Sequence, residues 1–150
     1  MTLAVLTAAP AIAGTEATAS VDETVTFFYY DDIDALVPFY EGLLKLEKTM
    51  DEDWVKIYRL TPGSSVGLVA NGRGLHAVSE DKPAMLSIVT DDVDAWYQRL
   101  VSAGVPVVSE LPPEDSEAGE GRAPVRGFVV TDPGGYTVEF FTWRKPESSE

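Results

Sequence analysis

The segment Thr131–Phe141, TDPGGYTVEFF, combines a tight turn with the strand that follows it. Pro133 fixes its own φ and Gly134–Gly135 accept positive φ, so the first half of the segment predicts a turn. The aromatic and β-branched residues after it predict a strand. Because side chains alternate along a strand, an apolar set that begins with Tyr136 should pack on the core, with Glu139 on the other face. Glu139 is therefore predicted either to be exposed or to line a cavity.

A second copy of this pattern lies earlier in the chain. The segment Leu60–Val69, LTPGSSVGLV, matches the turn and strand above, and this match aligns Gly67 with Glu139. YDDIDA at Tyr30–Ala35 likewise matches TDDVDA at Thr90–Ala95. Such an internal repeat predicts two copies of one structural unit.

Each copy is predicted to contain a strand, a helix and three further strands, because alternating and helical apolar patterns follow one another in that order. The helix of the first copy, predicted over 31–44, contains Pro38, which should kink it or loosen its start. A short strand near 49–53 has only a weak pattern. We assign 1–20 to a disordered or loosely docked leader, 21–145 to one domain and 146–150 to a tail. The domain comprises module one at 21–70, a linker at 71–83 and module two at 84–145.

Charge and composition exclude several kinds of partner. The 25 acidic and 11 basic residues give a net charge of −14, which argues against binding to nucleic acids or anionic membranes. The absence of cysteine excludes disulfides, thiolate metal sites and cysteine nucleophiles. No apolar run is long enough to span a bilayer. We predict a cytoplasmic location; a secretory signal within 1–20 is the alternative, although no Lys or Arg precedes its apolar stretch.

The tandem β-α-β-β-β units, with DDID and DDVD opening the two helices and DPGGYTVEFF near the end, resemble the vicinal oxygen chelate superfamily. That superfamily includes glyoxalases, bleomycin-resistance proteins and extradiol dioxygenases. The resemblance covers about 21–145. It implies an α+β fold in which the two modules form an open, curved mixed sheet around a cleft. It also implies a homodimer whose pocket is completed across the interface.

Metal-dependent members of the superfamily place four ligands on the first and last strands of their modules. The corresponding residues here are Val25, Gly67, Met85 and Glu139. Only Glu139 suits a hard or borderline divalent cation. Because a catalytic metal normally needs three or more protein ligands, the resemblance implies no metal site and no cofactor in this chain.

If Glu139 faces the cleft, strand alternation should bring an aromatic-rich set of side chains to the same face. The predicted ligand-binding residues are Phe27, Tyr29, Trp54, Lys56, Tyr58, Ser87, Glu139 and Phe141. Aromatic rings stack on planar ligands and attract cations, and a carboxylate pairs with an ammonium or guanidinium group. We therefore predict metal-independent binding of a small aromatic or cationic molecule, similar to sequestration by bleomycin-resistance proteins, with a role in antibiotic resistance.

Other interpretations of the same residues stay open. The aromatic side chains could fill a pocketless core or a dimer seam, and Glu139 could form a structural ion pair with Lys56. Glu139 desolvated among rings could act as a general base, or it could be a metal ligand, in a glyoxalase-like lyase, isomerase or dioxygenase relative. The acidic segment 111–124 is predicted to be a solvated crossover, or to fold over the cleft. His76, the only histidine, is predicted to be a solvated loop residue.

Overall fold

The computed structural model describes residues 20–116 and 124–144 and contains two four-stranded mixed sheets. The strands are β1 (Thr24–Tyr30), β2 (Glu47–Glu52), β3 (Val55–Thr61), β4 (Ser64–Ala70), β5 (Met85–Val89), β6 (Val107–Ser109), β7 (Val125–Thr131) and β8 (Thr137–Trp143). Their orders are β1-β4-β3-β2 and β5-β8-β7-β6. In each sheet the first strand runs parallel to the fourth, and the other neighbours are antiparallel. The predicted α+β fold of two tandem β-α-β-β-β modules is confirmed, with one sheet in each module.

The helical segment of module one is not a regular α-helix. It consists of a 3-10 turn at Asp34–Leu36 followed by a π-helical segment at Pro38–Leu43. Pro38 has no N–H to donate, and the segment changes from 3-10 to π-helical geometry at this residue, where a kink or a loosened helix start was predicted. In the π-helical part the Leu44 N–H donates to the Phe39 carbonyl at 2.9 Å, a five-residue spacing that defines a π-helix. The weakly predicted strand near 49–53 is present as β2.

Module two contains the one regular α-helix of the described ranges, α1 (Val93–Ser102). It buries Val93 and Leu100 against the sheet and ends before Gly104, whose φ of 75° suits a residue without a Cβ. Trp96 of this helix stacks on Phe140 of β8, with ring centroids 5.2 Å apart. The helical segment of each module therefore covers one face of that module's sheet.

One apolar core joins the two modules. Phe28 of β1 stacks on Tyr136, the residue before β8, with ring centroids 4.2 Å apart and planes 9° from parallel. Buried side chains from both modules belong to the same cluster: Phe28, Tyr30, Ile33, Leu36, Phe39, Tyr40, Leu44, Tyr58, Val66, Leu68, Leu86, Val93, Leu100, Phe128, Val130, Tyr136, Val138 and Phe140. The predicted leader and tail, residues 1–20 and 146–150, lie outside the described residues except for Ser20.

Within the described ranges, no helix is long and apolar enough to cross a membrane.

Candidate functional site

Strand register places the side chains of module one on two faces. Phe27 of β1 pairs with Gly67 of β4, and Gly67 pairs with Ile57 of β3. Directly paired residues point to the same side of a sheet, so these three positions share a face. Tyr29 lies two residues after Phe27 and shares that face. We call this the open face of module one, because Phe27 is 46% exposed there; the opposite face packs on the helical segment.

The prediction that Tyr58 lines the cleft is wrong. Tyr58 pairs with Val66 on the helix-covered face and is fully buried. Its ring stacks on Tyr40 at 5.5 Å and its hydroxyl donates to Glu41 at 2.9 Å. Burial and this hydrogen bond raise the pKa of the Tyr58 hydroxyl. Tyr58 is therefore a core residue.

Lys56 lies on the same buried face, so its predicted ligand-binding role is also wrong. Its ammonium group forms ion pairs with Asp51 at 2.7 Å and Asp34 at 3.0 Å. Hydrogen bonds to these two carboxylates raise the pKa of Lys56. The alternative ion pair between Lys56 and Glu139 is excluded as well, because Lys56 is committed to partners within module one.

Trp54 lies in the turn between β2 and β3 rather than in a strand. Its carbonyl accepts the Ala70 N–H at 2.9 Å, and its side chain is 40% exposed. The turn holds Trp54 at the end of the sheet of module one, and β3 continues from it with Val55.

Module two brings together three of the predicted ligand-binding residues. Ser87 pairs with Glu139 in the parallel ladder between β5 and β8, and the Ser87 hydroxyl donates to Glu139 Oε2 at 2.7 Å. Phe141 lies two residues further along β8 and faces the same side, but it is only 9% exposed and its ring meets the Trp143 ring edge-on at 5.1 Å. Ser87 is exposed and Glu139 is partly buried. We call this side of the sheet the open face of module two; Glu139 lies on it between Thr137 and Phe141, opposite the apolar set, as predicted.

On each open face a glycine lies closely against a phenylalanine. A Cβ built on Gly67 would lie 2.4 Å from a ring carbon of Phe27, and a Cβ on Gly127 would lie 2.6 Å from the Cβ of Phe141. Real Cβ atoms do not approach that closely. Glycine is therefore required at position 67 while the Phe27 ring stays in place, and at position 127 because the Phe140 carbonyl oxygen and the Phe141 Cβ would each lie 2.6 Å from the added Cβ. The sequence showed these glycines only as strand residues, and the close approach depends on register.

The residues at the four positions expected for a metal centre include a single carboxylate. Val25 and Met85 offer no hard donor, and Gly67 is covered by the Phe27 ring. Only Glu139 has a carboxylate there. Across the described ranges, 20–116 and 124–144, no group of three His, Asp or Glu side chains is close enough to hold a metal ion.

The linker at 71–83 packs against the open face of module one. The His76 ring meets the Tyr29 ring edge-on at 5.5 Å, and a Cβ on Gly74 would lie 2.5 Å from Tyr29. The Asn71 amide fixes the start of the linker by donating to Asp31 at 2.7 Å. Tyr29 is thereby partly covered, while Phe27 stays accessible. His76 is exposed, as predicted.

A buried polar cluster at the junction of the modules was missed at the sequence level. Asp132 Oδ2 accepts the Tyr30 hydroxyl at 2.6 Å and the Tyr40 hydroxyl at 3.0 Å. Asp132 Oδ1 accepts the N–H groups of Gly134 and Tyr136, each at 2.9 Å. A Cβ on Gly134 would lie 2.2 Å from the Tyr30 ring, so the glycine lets the turn close on module one. Asp-Pro-Gly-Gly indicated the turn, but not its partners.

The acidic segment at 111–124 is only partly described, because residues 117–123 lie outside the described ranges. Its beginning is fastened to the sheet of module two by two arginines. Arg126 donates to the Pro112 carbonyl at 2.8 Å and forms a two-point ion pair with Asp94, each contact 2.7 Å long. Arg144 donates to the Ser116 hydroxyl at 3.0 Å. The hypothesis that this segment covers the cleft stays a prediction.

Comparison with known proteins gives a consistent family assignment. The sequence profile of the Glyoxalase/Bleomycin resistance protein/Dioxygenase superfamily matches residues 20–140. No match to this chain was found among curated proteins.

Solved structures share the fold at low sequence identity. A lactoylglutathione lyase from Agrobacterium tumefaciens is 20% identical with a TM-score of 0.61, covering 79% of this chain and 90% of its own. A glyoxalase/bleomycin resistance protein/dioxygenase from Nocardioides is 19% identical with a TM-score of 0.65, covering 91% and 93%. TioX from Micromonospora sp. ML1 is 19% identical with a TM-score of 0.60, covering 80% and 97%. At these identities the likeness shows the fold alone.

Proposed function

Because this chain belongs to the glyoxalase/bleomycin resistance protein/dioxygenase superfamily, we propose that it binds a small aromatic or cationic molecule on its open faces without using a metal. The binding surface would combine the Phe27 ring of module one with Ser87, Glu139 and Phe141 of module two. Rings provide stacking surfaces, and Glu139 provides a carboxylate for an ammonium or guanidinium group. Sequestration of an antibiotic of this chemistry is the corresponding biological role.

The observation that carries this proposal is the Phe27 ring across Gly67. Gly67 aligns with Glu139 of module two, which is a potential metal ligand. In module one the space of that side chain is occupied by the Phe27 ring. A ring replaces a donor at the place where a metal-dependent relative would need one. The surface is thus better suited to stacking than to metal coordination.

Exposed apolar side chains support a homodimer as part of the proposal. Two patches of large side chains remain uncovered in the single chain, Phe27, Met50 and Trp54 in module one and Met85, Val89 and Trp143 in module two. Clustered exposed apolar residues mark interaction surfaces. We infer that a second copy covers part of them and completes the ligand site. A cytoplasmic location stays a prediction.

One contact favours a second candidate function. The 2.7 Å hydrogen bond from Ser87 to Glu139 orients a carboxylate on an open face, as a general base requires. An enzyme of the same fold, a lyase or isomerase relative, would use Glu139 to remove a proton from the substrate. The two candidates differ in whether the bound molecule is recovered unchanged.

The test is a titration of the full chain with bleomycin, in which the tryptophan fluorescence of the protein reports binding. The mass of the recovered ligand is then measured by mass spectrometry. Binding should be saturable, the ligand should be recovered intact, and Glu139→Gln should weaken binding about tenfold, as expected for loss of one charge contact. Glu80→Gln, in the exposed linker, is the matched control. Binding that is unaffected by Glu139→Gln would contradict the proposed site, and a modified ligand would favour the enzyme.

A further inference from the structure

A cavity of about 550 Å³ lies between the helical segments of the two modules. One wall is the π-helical segment, where Phe39 and Leu43 contribute side chains. A second wall is the chain from the end of α1 into β6, which includes Ala103 and Val105, and the third is the turn after β7. None of the residues that we predicted to bind ligand at the sequence level lines it. The cavity is therefore separate from the binding surface proposed above.

The size and walls of this cavity suit a small organic molecule. Ligand sites in proteins are typically concave, mostly apolar and roughly 300–1,000 Å³ in volume. Here Pro38, Pro106 and Pro133 add rigid apolar surface to the side chains named above. One wall is also a π-helical segment, and π-helical turns frequently occur at functional sites.

Two polar residues line this cavity, Thr131 and Asp132, and the one that carries charge, Asp132, is only 3% exposed. Four donors satisfy its carboxylate oxygens, two of them the hydroxyls of Tyr30 and Tyr40. Burial raises the pKa of both hydroxyls, and the nearby Asp132 carboxylate raises it further, so both remain protonated donors. None of the ion pairs in the described part of the chain includes Asp132. Its hydrogen-bonding capacity is filled, but no cation neutralises its charge.

We propose that this cavity is a second ligand site, for a small molecule with an apolar body and one cationic amino group. The apolar walls bury the body, and the amino group is attracted through space by the charge of Asp132, because four donors already fill the hydrogen-bonding capacity of that carboxylate. A buried carboxylate attracts a cation more strongly than an exposed one because solvent screening is weaker. The net charge of −14 further favours approach of cations and disfavours anions.

Three probes with one aromatic body test the charge preference: 1-naphthylmethylamine, 1-naphthylmethanol and 1-naphthoate. Their binding to the full chain is measured by isothermal titration calorimetry at low and moderate salt. The amine should bind about tenfold more tightly than the neutral alcohol because the Asp132 charge attracts it, and the carboxylate should bind more weakly than both. In nuclear magnetic resonance spectra the amine should shift the methyl signals of Leu43 and Val105.

Two matched variants locate the site. Ala103→Trp places an indole at the rim of the cavity and should weaken amine binding at least ~10-fold, whereas Ala95→Trp adds the same group elsewhere on α1 and should not. Glu80→Gln, which removes an exposed linker carboxylate outside both sites, should leave amine binding unchanged.

Absence of saturable amine binding would overturn the inference, and equal affinities for the amine and the alcohol would overturn the cation preference. Amine binding that survives Ala103→Trp but is lost in Glu139→Gln would also overturn it and would assign the probe to the open faces. Failure of bleomycin binding would instead contradict the proposed function and leave this result unaffected.

Discussion

The Phe27 ring lies directly across Gly67, so that a Cβ built on Gly67 would lie 2.4 Å from ring carbon Cδ1. The two residues are paired neighbours in the parallel ladder between β1 and β4. Any side chain at position 67 requires the ring to leave this place. Gly67 is the residue of module one that aligns with Glu139 of module two. The Phe27 ring therefore fills the space in which a side chain at the aligned position would lie.

Replacement of Gly67 by alanine should destabilise the fold by about 1–2 kcal/mol, because the new methyl group overlaps the Phe27 ring. Denaturant unfolding measures this cost in the wild type and in a Phe27→Ala background. The double mutant should recover most of the loss, since the overlapping ring is then absent. If Gly67→Ala lowered the free energy of unfolding equally in the two backgrounds, the Phe27 ring would not be the reason that position 67 requires glycine.

The buried tyrosines predict a loss of stability in alkali. Burial raises the pKa of Tyr30, Tyr40 and Tyr58 in the folded chain, whereas in the unfolded chain a tyrosine titrates near 10. Above about pH 10 the unfolded chain releases protons that the folded chain keeps, so the free energy of unfolding falls as pH rises. Each such tyrosine contributes up to ~1.4 kcal/mol per pH unit.

Tyr30→Phe tests this alkaline linkage. It should cost about 1 kcal/mol at neutral pH through the lost hydrogen bond to Asp132 and should reduce the alkaline slope by about one proton. Denaturant unfolding at several pH values measures both effects. Val66→Ala, a core variant that removes no titrating group, should keep the wild-type slope. If the free energy of unfolding of Tyr30→Phe changed with pH in parallel with that of the wild type, the proposed linkage would be excluded.

The Asp94–Arg126 ion pair predicts a loss of stability in acid. The hydrogen bonds and charge of Arg126 lower the pKa of Asp94 below that of an unfolded carboxyl. As pH falls below about 4, the unfolded carboxyl binds a proton before the folded one does, so stability decreases. Asp94→Asn should cost ~0.5–1 kcal/mol at pH 7 and little at pH 2, because the wild-type pair is then also lost. A cost independent of pH, measured by urea unfolding, would contradict this account.

The exposed apolar patches predict that the chain associates through its open faces. Sedimentation velocity should show a dimer for the wild type, and Trp143→Glu should raise the dissociation constant about 100-fold by burying a charge in the interface. Leu75→Glu, in the linker, is the control, because it replaces a residue of even greater exposure outside both patches. A monomeric wild type, or equal changes of the dissociation constant in the two variants, would contradict the dimer hypothesis.

The fold could be predicted from the sequence because its evidence is local and repeated. Two copies of the Asp-Asp helix start and of the Pro-Gly turn fix the order of elements, and Pro38 by itself predicts an irregular first helix. The faces of β8 were also predictable, since Tyr136, Val138 and Phe140 form an uninterrupted apolar set. Glu139 and Phe141 then follow on the other side.

The faces of β3 could not be predicted in the same way. In WVKIYRL both alternating sets contain large apolar side chains, so the choice depends on partners that are distant in sequence. Lys56 is buried only because Asp34 and Asp51 neutralise it, and Tyr58 because Tyr40 stacks on it. The cluster around Asp132 was missed for the same reason, because its two hydroxyl partners, Tyr30 and Tyr40, come from the other module.

The most direct test of metal-independent binding is the metal content of the untagged purified chain, measured by mass spectrometry. The melting temperature is measured alongside it, before and after addition of Ni²⁺, Zn²⁺, Mn²⁺ and Fe²⁺. The residues at the expected ligand positions predict substoichiometric metal and no specific shift, in the wild type and in Glu139→Gln alike. A stoichiometric metal, or a shift of several degrees that Glu139→Gln removes, would contradict the account and favour a metal-dependent enzyme.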